Sequence, residues 1–195
     1  MLERSIAAFE NCASIDSIIV VMNPNYFDIA NDLISRNDYK KYAGMITGGG
    51  SRFESSFNAL EKVHQMLKDE KNNVLIHDAA RAFVSPEVIE RVIEALENAD
   101  GAQPIVPVSE TIVQHINGQW ITQNRDDYAT VQTPQGFCFE KIYAAYQRAV
   151  NTPTTSWVPT DDISVLQEYS KNPRIVAVAG DYRNRKITFP EDLHL

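Results

Sequence analysis

Cysteine is scarce: Cys12 and Cys138 show neither metal-binding nor redox spacing and read as buried, reduced thiols. The four histidines, His64, His77, His115 and His194, are scattered, so no histidine-based metal site is visible. No apolar run approaches the roughly 20 residues that span a bilayer, and no basic start leads into an apolar signal region. The chain therefore reads as cytoplasmic, with no membrane partner. Basic residues are also outnumbered, 18 Lys and Arg against 26 Asp and Glu, for a formal net charge of -8. That balance argues against a nucleic-acid polymer as partner, which requires a basic face. It leaves room for a small phosphorylated substrate, which needs only a local cluster of cations. Internal repeats, low-complexity tracts and interdomain linkers are absent, so residues 1–195 read as one domain able to bury a real core.

What is present is an alternation of strands and helices. Leu2 to Glu10 resembles the end of a helix, and Ser17 to Met22 holds the β-branched run of a buried strand. Pro24 opens a helix carrying Phe27, Ile29, Leu33 and Ile34. A short strand, Ala43 to Thr47, leads through Gly48, Gly49, Gly50, Ser51 and Arg52 into a helix reaching about Lys68. Val74 to His77 reads as a buried strand, followed by a helix opened by Ser85 and Pro86 and a strand from Ala102 to Val108. This is the pattern of a parallel sheet covered on both faces. It breaks between residues 109 and 131, where Asn117-Gly118 joins two extended segments as a hairpin. That stretch reads as a projecting β-arm, and an arm carrying Trp120 is a natural dimer handle. A helix from Glu140 to Val150, a polar loop from Asn151 to Pro159, and a short helix capped by Thr160 follow. Strands at Arg174 to Val178 and Lys186 to Phe189, then a helix opened by Pro190, complete the reading.

The strongest site candidate is Asp78-Ala79-Ala80-Arg81, at the carboxyl end of the Val74 strand. Ligands in open α/β sheets bind there; an acid can hold a divalent metal, and an arginine can grip a phosphate with two hydrogen bonds. A capping Asp and a surface-paired Arg fit the same residues. The GGGSR segment suits an oxygen-rich ligand or a structural turn with Ser51 as N-cap. Asp161 and Asp162 read as acids favouring a helix start. Arg183, Arg185 and Lys186 read as a solvated face or a phosphate-binding cluster, and Arg125 is open in the same way.

Six segments, in order and with compatible spacing, carry a resemblance: GGGSRFESSFNAL, HDAAR, PVSETI, VQTPQGF, PTDDISVL and GDYRNRKITFPEDL. Together they resemble the sugar-alcohol-phosphate cytidylyltransferases, nearest the 2-C-methyl-D-erythritol 4-phosphate cytidylyltransferase family. The resemblance implies an α/β, Rossmann-like, mostly parallel sheet with helices on both faces and a protruding β-arm that builds a homodimer. It implies CTP as co-substrate, Mg²⁺ as cofactor and a sugar-alcohol phosphate as acceptor. It places Gly49, Gly50, Arg52 and Ser55 around the cytosine and ribose. Asp78 takes the metal side, with Ala79 and Arg81 lining the nucleotide site. Thr111, Thr133 and Thr160 contact the sugar phosphate, and Arg125, offered to the partner subunit, forms with Lys186 the basic pair around the acceptor phosphate. The same motifs fit a ribitol 5-phosphate cytidylyltransferase or a non-catalytic dimerising relative; the glycine fingerprint and ribose-binding acid that a nicotinamide-binding domain requires are missing from the sequence.

The sequence departs from the family in three places. The family opens with a strand and a G-x-G-x-R loop that grips the triphosphate, whereas the first glycine here is Gly44. The expectation is an N-terminally truncated chain whose first strand and loop are missing and whose activity alone is in question. Ala82 stands where the family usually has proline, and Arg185 stands for an apolar residue.

Overall fold

A computed structural model describes residues 1–67, 72–152, 159–189 and 191–192 of the chain. The β-branched run forms β1 (Ile18–Met22), which pairs in parallel with β2 (Tyr42–Thr47). Between them Pro24 opens a single 3-10 turn, Pro24–Tyr26, before α2 (Phe27–Ser35) begins, so the helix starts later than its proline suggests. The preceding helix, α1 (Leu2–Glu10), places Ile6 against Val20 and Ile34. Its Phe9 packs with Val84, Val88 and Ile89, which ties this unit to the rest of the molecule.

The remaining order is α3 (Arg52–Met66), β3 (Asn73–Ile76), α4 (Pro86–Ala95), β4 (Gly101–Pro107), then the arm strands β5 (Val113–Ile116) and β6 (Gln119–Thr122). β7 (Ala129–Val131), β8 (Gln135–Cys138), α5 (Phe139–Asn151), α6 (Asp162–Tyr169) and β9 (Ile175–Ala179) follow. The main sheet runs β3-β8-β4-β7, with β9 on the other edge of β4. β8 is antiparallel to both β3 and β4, so β3, β4 and β9 share one direction while β7 and β8 return against it. The parallel reading therefore holds for the common direction of β3, β4 and β9 and for the β1–β2 pair. The returning segment is inserted between β3 and β4, with a cis Thr133-Pro134 peptide between β7 and β8. Among the described residues β1 pairs only with β2, and β3 only with β8.

Helices cover both faces. On one, Phe137, Phe139, Ile142, Ala145 and Tyr146 close against Ile163, Val165, Leu166 and Leu60. On the other, Val92 and Leu96 of α4 lie against Ala102. The arm hairpin turns through Asn117 (φ 50°) and Gly118 (φ 81°), the left-handed pair that matches strand twist and explains Asn-Gly there. Trp120 is 70% exposed on this ribbon, and Val113, Ile116 and Ile121 are exposed with it.

Three local expectations are corrected. Lys186 to Phe189 forms no strand: the Thr188 and Phe189 amides donate to Oδ2 of Asp192 at 2.8 and 2.9 Å, leaving only Ile187 N–H to reach a neighbouring backbone, Ala80 O at 2.9 Å. The N-cap of α6 is Asp161, not Thr160; its Oδ1 accepts the Ser164 amide at 2.9 Å in a capping box. The helix read from Glu140 starts one residue earlier, with buried Phe139. Pro190 and residues 153–158 of the polar loop lie outside the described residues.

Candidate functional site

Asp78 lies two residues past the end of β3, and the turn it begins is closed by Arg81 N–H donating to Asp78 O at 2.8 Å. Behind the turn lies a hydrogen-bond chain. Asp78 N–H donates to Thr133 Oγ1 at 3.0 Å, Thr133 Oγ1 lies 3.0 Å from His77 Nδ1, and His77 Nε2 lies 3.3 Å from Arg81 O. Burial holds the His77 pKa down to about 4, so the ring is neutral near pH 7. The Arg81 carbonyl can only accept, which puts the ring proton on Nε2 and makes Nδ1 the acceptor of the Thr133 hydroxyl. The His77 ring thus ties both ends of the Asp78–Arg81 turn, the Arg81 end directly and the Asp78 end through Thr133.

In front of the turn, three cations converge on Asp78. Lys186 Nζ is 3.1 Å from Oδ2, Arg81 Nε 3.9 Å from Oδ2 and Arg52 Nε 3.9 Å from Oδ1. Burial works to raise the Asp78 pKa. The hydrogen bond and charge of Lys186, then the charges of Arg52 and Arg81, outweigh it and hold the carboxyl below its ordinary value. Arg52 also donates through a terminal nitrogen to Asp162 Oδ2 at 2.6 Å. Asp162 is fully buried and accepts the Tyr146 hydroxyl on Oδ1 at 2.5 Å. Burial and that carboxylate push the Tyr146 hydroxyl well above its usual range, keeping it a donor. Gln135 Oε1 accepts the Asp162 and Ile163 amides at 3.1 and 3.3 Å, and its Nε2 donates to Asp161 Oδ2 at 2.6 Å. Three cations facing two carboxylates leave a net positive charge on an acidic protein, which is the local field an anionic phosphate requires.

The glycine segment contributes differently. Gly49 N–H donates to Ser55 Oγ at 3.0 Å and Gly50 N–H to Glu54 Oε2 at 2.6 Å, while Ser51 Oγ accepts the Glu54 amide at 3.1 Å. Ser51 is the N-cap, as read, and the anion position at this helix start is filled by the chain's own Glu54. Glycine is required at 49 because a Cβ there would lie 2.2 Å from Glu54 Cβ.

Of the residues singled out from the sequence, Arg52, Asp78, Arg81 and Lys186 come together. Ala79 is exposed beside them, its carbonyl accepting Ser5 Oγ at 2.9 Å. Gly49 and Gly50 lie in the loop leading to Arg52, and Ser55 lies in the first turn of α3. Thr133 is only 5% exposed and lies behind Asp78, holding its amide. Thr111 and Thr160 are exposed, and Arg125, on the arm, donates to Ser109 O at 2.8 Å. No hydrogen bond or ion pair among the described residues joins these three to Asp78. Asp162, Tyr146, Gln135 and His77 were not read as site residues. In the sequence Asp162 reads, with Asp161, as an acid favouring a helix start, and nothing local marks Tyr146.

Among the described residues no group of three His, Cys, Asp or Glu could cage a metal. Asp162 is closed off, whereas the Asp78 side chain is 21% exposed. One accessible carboxylate beside a cationic patch fits Mg²⁺, which is commonly held by one or two carboxylates with phosphate and water oxygens completing its shell. A separate cavity of about 600 Å³ opens at the far end of the strands, between Asn73, Asp100, Cys138 and Arg174. No helix among the described residues is long and apolar enough to cross a membrane.

The profile of a family described as 2-C-methyl-D-erythritol 4-phosphate cytidylyltransferase matches residues 1–195. A protein of that name from Corynebacterium efficiens is 35% identical over 205 residues, covering 100% of this chain and 79% of its own. One from Thermobifida fusca is 35% identical over 199 residues, covering 99% and 78%. The crystal structure of 4-diphosphocytidyl-2C-methyl-D-erythritol synthase from Anaerococcus prevotii aligns with a TM-score of 0.87 at 28% identity, over 99% of this chain and 82% of that one. The Thermus thermophilus 2-C-methyl-D-erythritol 4-phosphate cytidylyltransferase aligns at 0.76 and 28%, over 99% and 85%.

Proposed function

The chain belongs to the 2-C-methyl-D-erythritol 4-phosphate cytidylyltransferase family and is a nucleotidyltransferase; from that premise we propose that it transfers a cytidylyl group from CTP to 2-C-methyl-D-erythritol 4-phosphate. A phosphate oxygen of the acceptor attacks the α-phosphorus of CTP. The new P–O bond forms as the bond to the β-phosphate bridging oxygen breaks, and pyrophosphate leaves with the electron pair. A phosphate monoester is already a competent nucleophile near neutral pH, so the site needs positioning and charge neutralisation rather than a covalent nucleophile.

The observation that carries this reading is the convergence of Lys186, Arg81 and Arg52 on Asp78 at the carboxyl end of β3. Lys186 binds the acceptor phosphate, and Arg81 and Arg52 offset charge on the nucleotide phosphates. Gly49, Gly50 and Ser55 form the wall beside the nucleoside, with Ala79 along the turn. Asp78 would hold Mg²⁺, which supplies further charge neutralisation and orientation of the triphosphate when bound. Thr160 borders the acceptor next to the capping Asp161. Thr111 and Arg125 belong to the arm, and we assign them to the acceptor pocket of a second subunit. The exposed Val113, Trp120 and Ile121 support a homodimer built on that ribbon, since an isolated two-stranded hairpin is marginal in water.

The test is pyrophosphate release from CTP with Mg²⁺ and either 2-C-methyl-D-erythritol 4-phosphate or ribitol 5-phosphate. Release with the first acceptor and not the second supports the proposal; release with ribitol 5-phosphate alone replaces the acceptor, and release with neither overturns the reading.

A further inference from the structure

Lys186 is carried by a segment that is neither helix nor strand, yet its ammonium is set against Asp78 at 3.1 Å. Two side-chain amides account for that. Gln132, 4% exposed, treats Asp181 as a strand neighbour would: Nε2 donates to Asp181 O at 2.8 Å and Oε1 accepts Asp181 N–H at 3.2 Å. Asn184 is fully buried and donates from Nδ2 to Thr133 O at 2.8 Å and to Gln132 Oε1 at 3.3 Å. Both atoms facing Nδ2 are acceptors, so the orientation of the Asn184 amide is fixed. Its backbone carbonyl accepts Arg81 NH1 at 2.9 Å, and three residues on, Ile187 N–H meets Ala80 O at 2.9 Å.

Thr133 therefore serves both sides of the ion pair. Its hydroxyl holds the Asp78 amide while its carbonyl holds Asn184, two residues before Lys186. We propose that Asn184, supported by Gln132, is a positioning residue for the transfer reaction: it fixes the backbone from which Lys186 reaches the acceptor phosphate. Asn184 touches no reacting atom; it acts through Lys186. The proposal rests on the functional reading above for what Lys186 does, but not for how Lys186 is held.

A double-mutant cycle tests it. Asn184→Ala should lower kcat/KM for the acceptor at least about tenfold in the otherwise unaltered enzyme and less than about twofold when Lys186 is already alanine, because coupled residues lose their effects non-additively. An equal loss in both backgrounds would overturn the proposal and leave Asn184 a general stabiliser. Hydrogen exchange at the Ile187 amide gives a readout free of turnover. Asn184→Ala should accelerate it at least about tenfold while amides of the β4–β9 ladder keep their rates, as expected of a local opening; unchanged Ile187 exchange would overturn the proposal. If Asn184→Ala does not fold, Gln132→Glu replaces it in both experiments with the same expectations, since it sets a carboxylate against Asp181 O. If the unaltered enzyme shows no turnover, the functional reading fails, and the Ile187 exchange alone decides how the segment is held.

Discussion

The Lys186 ammonium and the Asp78 carboxylate, 3.1 Å apart, are brought together from an irregular segment late in the chain and from the turn just past β3, an edge strand among the described residues. Neither side chain is fully buried: Lys186 is 48% exposed and Asp78 21%. A pair this open contributes little to stability. It keeps a cation and an anion side by side, and in the proposed reaction Lys186 would bind the acceptor phosphate and Asp78 would hold Mg²⁺.

Asp162 anchors the other side of the site. Asp162→Ala removes the partner of Arg52 and takes the carboxylate from the buried Tyr146 hydroxyl, leaving it only Ser56. It should cost about 3 kcal/mol and lower the melting temperature by roughly 10 °C. Tyr146→Phe removes one donor and should cost about 2 kcal/mol. Urea denaturation of the three proteins side by side checks both; a Tyr146→Phe enzyme less stable than Asp162→Ala would contradict the assigned roles.

His77 sets a pH dependence of stability. Its folded-state pKa of about 4 lies below the ordinary 6.5, so protons favour the unfolded chain between these values. Its contribution is complete above pH 6.5 and falls as pH drops, by about 1.4 kcal/mol per unit, to a loss of about 3 kcal/mol near pH 4. Asp78, whose pKa is depressed, adds a loss only below the ordinary carboxylate range, as pH falls through its folded-state value. Denaturation midpoints from pH 7 to 4.5 should decline in the unaltered protein and decline less in His77→Asn. Parallel curves would contradict the buried neutral ring.

The expected alternation was legible because hydrophobic periodicity is local: β1, α3, α4 and β4 appear close to where the pattern places them. The arm was legible from Asn117-Gly118, since few residues accept positive φ at two successive positions. Features set by distant partners were not. Which of Asp161 and Asp162 caps the helix depends on where Arg52 and Tyr146 arrive. The strand-like KITF segment stays irregular because Asp192 takes two of its amides. β8 runs antiparallel because it returns from the arm, which its own composition does not record. At the site, Asp78 and Arg81 were legible as an acid and a guanidinium at a strand end and Lys186 as part of a basic cluster; the resemblance added their roles, and the fold brings them together, whereas Thr133 lies behind Asp78 and holds its backbone amide.

Arg125 separates a site completed by one subunit from a site completed by two. If the arm reaches across a dimer, Arg125→Ala should be rescued in mixed dimers with a subunit disabled by Asp78→Asn. The intact Asp78 of one chain then meets the intact Arg125 of the other, restoring one site in two. Activity of purified heterodimers against the two parent homodimers measures this, and absence of rescue would remove Arg125 from a shared site.

Trp120, 70% exposed on a two-stranded ribbon, should be covered if the arm builds the proposed homodimer. Trp120→Ser together with Ile121→Ser should shift the protein to monomer in sedimentation velocity at micromolar concentration. A dimer that persists would place the interface elsewhere.

The most direct test of the central claim is the kcat/KM for 2-C-methyl-D-erythritol 4-phosphate, at saturating CTP and Mg²⁺, of Lys186→Ala beside the unaltered enzyme. A charged contact to the acceptor phosphate predicts a loss of at least about tenfold, with folding stability changed by less than about 1 kcal/mol. An unchanged kcat/KM would contradict the account, because Lys186 would then have no part in the transfer.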